Sequence, residues 1–243
     1  MDKITKLLIK AVNHLLYKSN LLNNYIKLKS LEQRLGEKGE GAYIGFPSII
    51  NNPSSVYLHP FTRLQGHHKI LNHTGRFIMK KYSGSSLNFT VVTGNHTPTV
   101  GIPHYLLAPS HVNDKEMDVI VEEDVWIGAN VTLLAGAHIG RGAIIGACSL
   151  INKYIPPYAI VVGIPGRIIG TTFTINQIIE HEKKLYPITE RYSYEYLSNL
   201  FKEYFENKKA IGMDTILNKE DYDNLQNFIK ETKFVYPNNP QSL

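Results

Sequence analysis

Cysteine is nearly absent from this 243-residue chain, whose only thiol is Cys148. One cysteine excludes an intramolecular disulfide framework, and the lack of any Cys-x-x-Cys or Cys-x-x-x-His spacing leaves no thiolate metal site. Such low cysteine usage is typical of a reducing compartment, so we predict a cytoplasmic protein. Cys148 has no neighbouring base in its repeat unit, and we interpret it as structural rather than as a nucleophile.

Long hydrophobic runs are missing as well. Lysines interrupt the apolar N-terminus at Lys3, Lys6 and Lys10, which leaves no uninterrupted core for a signal peptide. The segment 82–113 has no Asp, Glu, Lys or Arg, yet it is too rich in Ser, Thr, Asn, His, Gly and Pro for a membrane-spanning helix. We therefore predict neither a signal peptide nor a transmembrane segment.

Charge is sparse and only slightly unbalanced. Charged residues make up 19% of the chain and hydrophobic residues 43%, with a mean hydropathy of -0.18, which excludes a disordered chain. The 26 Lys and Arg against 21 Asp and Glu give a net charge of +5. This excess permits anionic ligands but does not require nucleic acid, so no nucleic-acid partner is predicted.

A period of six is the strongest pattern that the sequence does contain. An aliphatic residue returns at every sixth position, at Val121, Ile127, Leu133, Ile139, Ile145 and Ile151. A small or β-branched residue follows four positions after each of the first five, at Val125, Val131, Ala137, Ala143 and Ser149. Six fits neither an α-helix nor simple strand alternation, so each unit is a short strand plus a turn. Three units per coil predict a triangular parallel β-helix, with glycines such as Gly128 easing its turns.

The same pattern divides the chain into three parts. We predict a β-helix domain over 42–170, with looser coils up to residue 96 and regular ones at the end. Between them the period vanishes at 97–118, which carries three prolines and predicts a loop outside the prism. Long loops on regular scaffolds often carry function.

Helical patterns flank the predicted prism. Residues 1–41 are predicted to hold two amphipathic helices, and residues 171–243 a helical tail with helices at 175–185, 193–208 and 220–232. Residues 1–36 contain seven Lys and Arg against two Asp and Glu, which equals the net charge of the whole chain. This segment suggests peripheral contact with the inner face of an anionic membrane. The alternative is that the helices pack on the prism or on a neighbouring chain.

Several strings resemble the hexapeptide-repeat acyltransferases of left-handed β-helix fold. They are Thr-Gly-Asn-His at 93–96, Val-Trp-Ile-Gly at 125–128, Ile-Gly-Ala at 145–147, Asn-Lys at 152–153, Ile-Pro-Pro at 155–157 and Gly-Ile-Pro-Gly-Arg at 163–167. The pattern is most similar to the branch of galactoside, maltose and capsule or exopolysaccharide O-acetyltransferases. The resemblance implies a mainly β, left-handed parallel β-helix, acetyl-CoA as co-substrate and a homotrimer.

His96 matches the catalytic histidine of the family in its Thr-Gly-x-His setting. Acetyl transfer to a hydroxyl needs a base for the hydroxyl proton, and the imidazole pKa near neutrality suits that role. The resemblance implies direct transfer, in which His96 takes the acceptor proton and then protonates the leaving thiolate. The alternative is a histidine that only satisfies a turn.

The resemblance also implies which residues bind coenzyme A. Its pantetheine arm is expected to run along the backbone near Ala129 and Ala147, and its nucleotide to face Asn152, Lys153 and Arg167. The full set is Trp126, Gly128, Ala129, Gly146, Ala147, Asn152, Lys153 and Arg167. The family often has Ser and Thr where this chain has Ala129 and Asn152, so side-chain hydrogen bonds are not expected from Ala129. Trp126 could instead pack at a prism edge.

An acceptor sugar is expected to contact histidines and asparagines near the loop. The candidates are His67, His68, Asn88, Asn95, His104 and His111, with solvated corner positions as the alternative for each. A zinc site of the carbonic anhydrase type, using His67, His68 and His73, is a weaker alternative because it leaves the coenzyme A motifs unused. No metal is therefore predicted.

The predicted function is acetyl-CoA-dependent O-acetylation of a carbohydrate hydroxyl, on a surface-polysaccharide sugar or its precursor. Two alternatives stay open. One is N-acetylation of an amino sugar, which would use the same donor and base. The other is a non-catalytic hexapeptide scaffold, against which the joint presence of His96, Lys153 and Arg167 argues.

Overall fold

Short strands recur along residues 37–171 of the computed structural model, which describes residues 3–212 and 217–236. The strands form three parallel β-sheets, which are the faces of a triangular prism. Each circuit of the chain around the prism adds one strand to each face. The first face comprises β1 (Glu37–Lys38), β4 (Val56–Leu58), β7 (Phe77–Met79), β12 (Val119–Val121), β15 (His138–Ile139) and β18 (Tyr154–Ile155).

The second face is the longest because the C-terminal segment extends it. It comprises β2 (Tyr43–Ile44), β5 (Arg63–Leu64), β8 (Gly84–Ser85), β13 (Trp126–Ile127), β16 (Ile144–Ile145) and β19 (Ala159–Val162). To these are added the antiparallel β20 (Arg167–Thr171) and then β21 (Lys209–Ala210).

The third face completes the triangle. It comprises β3 (Ser48–Ile50), β6 (His68–Leu71), β9 (Thr90–Val92), β14 (Thr132–Leu133) and β17 (Leu150–Ile151). The remaining strands, β10 (Gly94–Asn95) and β11 (Lys115–Glu116), pair only with each other. Register links equivalent positions in successive coils, as where Leu133 lies between Val91 and Ile151. The predicted parallel β-helix is confirmed.

The aliphatic repeat forms the core of this prism. All six aliphatic residues from Val121 to Ile151 are 0–1% exposed, and the small residues four positions later are at most 2% exposed. In the looser coils Leu58, Leu64 and Ile70 are fully buried too. Apolar burial along the axis of the prism therefore stabilises the stack.

The glycines that follow the aliphatic residues of the repeat do not have the role in the turns that the sequence predicted. The left-handed turn positions are occupied by Asp124, Asn130, Gly136, Gly142 and Cys148, with φ between 56° and 78°. Gly128 does not have a positive φ. A Cβ on Gly128 would lie 2.6 Å from the Ala147 nitrogen, so glycine is needed there for the close approach of adjacent coils. The expectation that Gly128 eases a turn was wrong.

The N-terminal segment is one helix, α1 (Lys3–Arg34), and the predicted helical pair was wrong. No proline or glycine occurs between residues 3 and 35, so nothing in the sequence interrupts the helix before Gly36. Only its end packs on the prism, where Leu31 is buried and Leu28 is partly buried. Near the N-terminus of the helix, Leu7 is 70% exposed.

The other helices are α2 (His104–Ser110) in the loop and α3 (Ile175–Leu185), α4 (Tyr194–Tyr204) and α5 (Lys219–Thr232) after the prism. Single-turn 3-10 helices occur at Pro53–Ser55 and Ile188–Glu190. Helix α4 ends four residues earlier than predicted because the chain turns at Asn207, whose φ is 58°, to form β21. None of the helices that the structure describes combines the length and apolar character required to cross a bilayer.

A buried ion pair joins the tail to the prism. Arg141, on the prism, donates through Nη1 to Glu182 Oε1 of α3 at 3.2 Å and to the Glu190 carbonyl at 2.8 Å. Glu182 is 1% exposed and also accepts from the Tyr158 hydroxyl and from the Tyr192 nitrogen. The helix α3 therefore has a fixed position on the last coils.

Candidate active site

The loop predicted at 97–118 leaves the prism at the corner between the third and first faces. Strands β10 and β11 form its antiparallel neck, and Glu116 closes that neck by accepting hydrogen bonds from Thr93 Oγ1 (2.5 Å) and the Gly75 nitrogen (2.9 Å). A Cβ on Gly94 would collide with the Glu116 carboxylate. Thr93 and Gly94 thus both contribute to the neck, Thr93 through its hydrogen bond to Glu116 and Gly94 by leaving space for that carboxylate.

His96 emerges directly from this neck and faces Asp114 across it. Its Nδ1 lies 2.7 Å from Asp114 Oδ1, and its side chain is 47% exposed. An ionised carboxylate only accepts hydrogen bonds, so in the neutral ring this contact places the hydrogen on Nδ1 and leaves Nε2 as the acceptor nitrogen. This arrangement leaves a basic nitrogen on an exposed, oriented ring.

Asp114 binds a second histidine through its other oxygen. His111 Nδ1 lies 2.7 Å from Asp114 Oδ2, and the His111 ring stacks on His73 with centroids 4.3 Å apart. The hydrogen bond from His96, together with that from His111, lowers the pKa of Asp114 below its usual value. Asp114 is therefore an anion at neutral pH and orients both imidazoles.

The zinc alternative is not supported by the positions of its three histidines. His68 is fully buried, with its ring nitrogens 2.7 Å from Ser48 Oγ and 2.8 Å from the Gln65 carbonyl, whereas His67 is exposed and His73 stacks on His111. Within residues 3–212 and 217–236, no group of three or more His, Cys, Asp or Glu side chains is arranged to hold a metal ion.

The expected acceptor residues are dispersed, apart from those near the loop. Asn95 and His104 are exposed on the loop beside His96 and His111. His67 and Asn88 are exposed at left-handed corner positions, with φ of 63° and 59°. The assignment of His68 to the acceptor was wrong, since its buried ring is already satisfied by the protein.

The expected coenzyme A residues lie along a different corner. Ala129 and Ala147 follow β13 and β16, where the chain turns from the second face to the third, and the intervening Gly128 and Gly146 allow close coil packing. Ala147 is exposed and Ala129 partly so. Trp126 projects from the outside of the second face and is 50% exposed.

The expected nucleotide-facing residues follow in the last coils. Asn152 and Lys153 lie between β17 and β18, Arg167 begins β20, and all three are exposed. Neither Lys153 nor Arg167 pairs with a carboxylate in the part of the chain that the structure describes. Both cations are therefore free to meet phosphate oxygens.

Asp114 and Glu116 are the site residues that sequence reasoning missed. Asp114 is the first charged residue after the uncharged segment 82–113, and that position is a usable signal. The first carboxylate after an uncharged loop is well placed to pair with a histidine of the same loop.

Comparison with known proteins finds hexapeptide repeats in one part of this chain. Residues 118–153 match the family model for the bacterial transferase hexapeptide (six repeats). A chloramphenicol acetyltransferase from Klebsiella aerogenes is 42% identical over 64 residues, which are 26% of this chain and 30% of that relative. The chain thus spans less than a third of the length of this curated relative.

Solved structures show that the fold is the left-handed β-helix of these acetyltransferases, as the resemblance predicted. A hexapeptide-repeat acetyltransferase from Vibrio cholerae, solved with acetyl coenzyme A, has a TM-score of 0.53 and 19% identity, covering 59% of this chain and 75% of its own. A maltose O-acetyltransferase from Clostridium difficile 630 has a TM-score of 0.54 and 22% identity, covering 71% and 90%.

Proposed function

We propose that this chain is an acetyl-CoA-dependent O-acetyltransferase that acts on a carbohydrate hydroxyl, on a surface-polysaccharide sugar or its precursor, in the cytoplasm. The observation that carries the proposal is the His96–Asp114 pair, because the carboxylate orients an exposed imidazole at the neck of the loop. The acetyl coenzyme A bound by the Vibrio cholerae neighbour supports the choice of donor.

The pair performs the proton transfers of the reaction. His96 Nε2 takes the proton from the acceptor hydroxyl as its oxygen attacks the acetyl carbonyl carbon. The carbon–sulfur bond then breaks, and the imidazolium returns the proton to the departing thiolate. Asp114 holds the ring orientation and stabilises the positive charge that forms on it, so the protein needs no covalent intermediate.

A homotrimer is part of the proposal, and the separation of the two parts of the site supports it. His96 leaves from the corner between the third and first faces, whereas Ala129 and Ala147 lie at the corner between the second and third. A neighbouring prism that brings its loop to the Ala147 corner completes the site. Mixed oligomers of His96→Ala and Ala147→Trp chains should regain activity that each variant lacks alone, and no recovery would contradict a shared site.

The acceptor is tested by a screen with acetyl-CoA. Sugars, amino sugars and hydroxylated antibiotics would be offered, the last because the Klebsiella aerogenes relative is a chloramphenicol acetyltransferase. We expect coenzyme A release only with sugar hydroxyls, and mass spectrometry to find the acetyl group on oxygen. Acetylation of nitrogen, or of chloramphenicol alone, would contradict the proposed substrate class. Absence of coenzyme A binding would favour the scaffold alternative.

Helix α1 is proposed to lie on an anionic membrane. Its N-terminal half does not pack on the prism at Leu7, Val12, Leu15 and Leu16, which are between 52% and 70% exposed. An apolar helix face flanked by lysines is typical of interfacial helices. Co-sedimentation with vesicles containing phosphatidylglycerol should be lost in a Leu15→Glu, Leu16→Glu variant. Unchanged binding would contradict the proposal, and a smaller oligomer would point to a contact between chains.

A further inference from the structure

A cavity of about 640 Å³ lies between the outside of the second face and helix α5. Its floor is formed by strands β2, β5, β8 and β13, and its roof by α5 and the residues that follow it. The volume falls in the range of small-molecule sites, which is about 300–1,000 Å³. The cavity is on the second face, away from the corner where His96 leaves the prism.

Aromatic rings from distant parts of the chain form the walls of this cavity. Phe234, after α5, lies edge-on to Phe61 and Tyr82, with centroids 5.1 and 5.5 Å apart, and Tyr236 packs on Phe234 at 5.0 Å. Trp126 forms part of the opposite wall. Such walls suit a flat apolar ligand, since aromatic rings stack or meet edge to face.

The backbone supports these rings at an unusual conformation. Phe61 and Tyr82 stand at successive corners with φ of 58° and 69°, a region that bulky residues rarely occupy. At the equivalent corner of the first coil the chain has Gly41, with φ of 67°. The same corner is occupied by a buried tyrosine, Tyr158, in the last coil, whereas Phe61 and Tyr82 line the cavity.

One cation faces the cavity without a carboxylate. The Arg63 guanidinium lies 4.9 Å from the Tyr43 ring centroid and 5.9 Å from that of Phe228, and it makes no ion pair with the residues that the structure describes. The other charged lining residue, Asp124, has its carboxylate 2.8 Å from His181 Nε2. The cavity therefore offers a positive group that has only aromatic partners.

We propose that this aromatic cavity binds a small aromatic anion. The flat part of the ligand lies against the packed rings of Phe61, Tyr82 and Phe234, on the side that faces the cavity, and its negative group meets Arg63. Charge complementarity at Arg63 selects an anion over a neutral ring system of the same shape. The proposal does not depend on the acetyl-transfer chemistry of His96.

The test uses 8-anilinonaphthalene-1-sulfonate, an aromatic sulfonate that fluoresces in apolar surroundings. Trp126 is the only tryptophan in the chain and lies in the cavity wall, so energy transfer from tryptophan to the bound probe reports this cavity. Wild-type protein should give saturable transfer.

Arg63→Gln should weaken probe binding about tenfold or more, and Arg63→Lys should weaken it less, since Lys keeps the charge. Thr232→Phe, which fills the cavity, should abolish the transfer.

Controls separate charge, shape and folding. Uncharged N-phenyl-1-naphthylamine should bind wild type and Arg63→Gln equally, and Lys69→Gln, on the third face, should bind the sulfonate as wild type does. If Arg63→Gln fails to fold, the test is the comparison of the two probes on the wild-type protein. The proposal requires wild type to bind the sulfonate more tightly than the uncharged analogue. No saturable transfer, or equal sulfonate binding by wild type and Arg63→Gln, would overturn the proposal.

Discussion

Neutralising Glu182 is expected to loosen the tail from the prism. In Glu182→Gln, Arg141 keeps Glu123 at 3.3 Å and the Glu190 carbonyl at 2.8 Å, but it loses the carboxylate that lies 3.2 Å from Nη1. Removing one partner of a buried ion pair costs about 3–5 kcal/mol. Because Arg141 keeps its other two partners, we expect a cost at the lower end of this range. We therefore expect a loss of about 3 kcal/mol in the free energy of unfolding.

The loss is measured by urea and thermal unfolding, followed by far-ultraviolet circular dichroism. For a chain of this size, 1 kcal/mol lowers the melting temperature by about 2–4 °C, so the expected decrease is roughly 6–12 °C. Hydrogen exchange should show the loss of protection in α3 before the prism. The opposite order would mean that the pair does not hold the tail.

Glu180→Gln is the matched control on the same helix. Glu180 is 68% exposed and pairs with Lys183 at 2.6 Å, and an exposed pair of this kind contributes about 0–1 kcal/mol. Equal destabilisation by the two substitutions, or a Glu182→Gln protein within 1 kcal/mol of wild type, would refute the reasoning.

Three further predictions concern other buried or oriented groups. Ser85→Ala should raise the free energy of unfolding in urea by about 1 kcal/mol, because the fully buried Ser85 hydroxyl has no hydrogen-bond partner within the described residues; a loss of stability would contradict this. Burial lowers the pKa of His68 below 6.5, so the unfolded chain binds a proton before the folded one and stability falls as the pH drops from 7 to about 5.5. In urea unfolding over that pH range, His68→Gln should lose less stability than wild type. An equal loss would exclude His68 as the source of the pH dependence. Asp114→Asn should lower kcat for acetyl transfer about tenfold or more while leaving the KM for acetyl-CoA unchanged, and full activity would remove Asp114 from the mechanism.

The prism could be predicted from the sequence because its stabilising contacts repeat. The regular coils from Val121 onward bury an aliphatic residue at the same position of the six-residue unit, so Ile127 and Ile145 lie in adjacent strands of one face. The exposure of His96 followed from its position at the end of a coil, directly before the segment 97–118 in which that period is lost. Local pattern and global fold agree here, which is the condition under which sequence reasoning succeeds.

The rest depends on contacts between residues that no period connects. Asp114 lies 18 positions after His96 and reaches it only because β10 and β11 pair across the loop. The continuity of α1 was missed because two apolar stripes were interpreted as two helices, although no helix breaker separates them. Helix α5 covers strands more than 90 residues earlier in the chain, and tertiary packing rather than local sequence decides that position.

The central claim is that His96 is the base for acetyl transfer, and its direct test is His96→Ala in the full-length chain. The measurement is kcat/KM for coenzyme A release with an acceptor found in the screen, alongside calorimetric binding of coenzyme A to confirm an intact donor site. We predict a fall of about 10²–10⁴ in kcat/KM with unchanged coenzyme A affinity. Transfer within a few-fold of wild type would contradict the account.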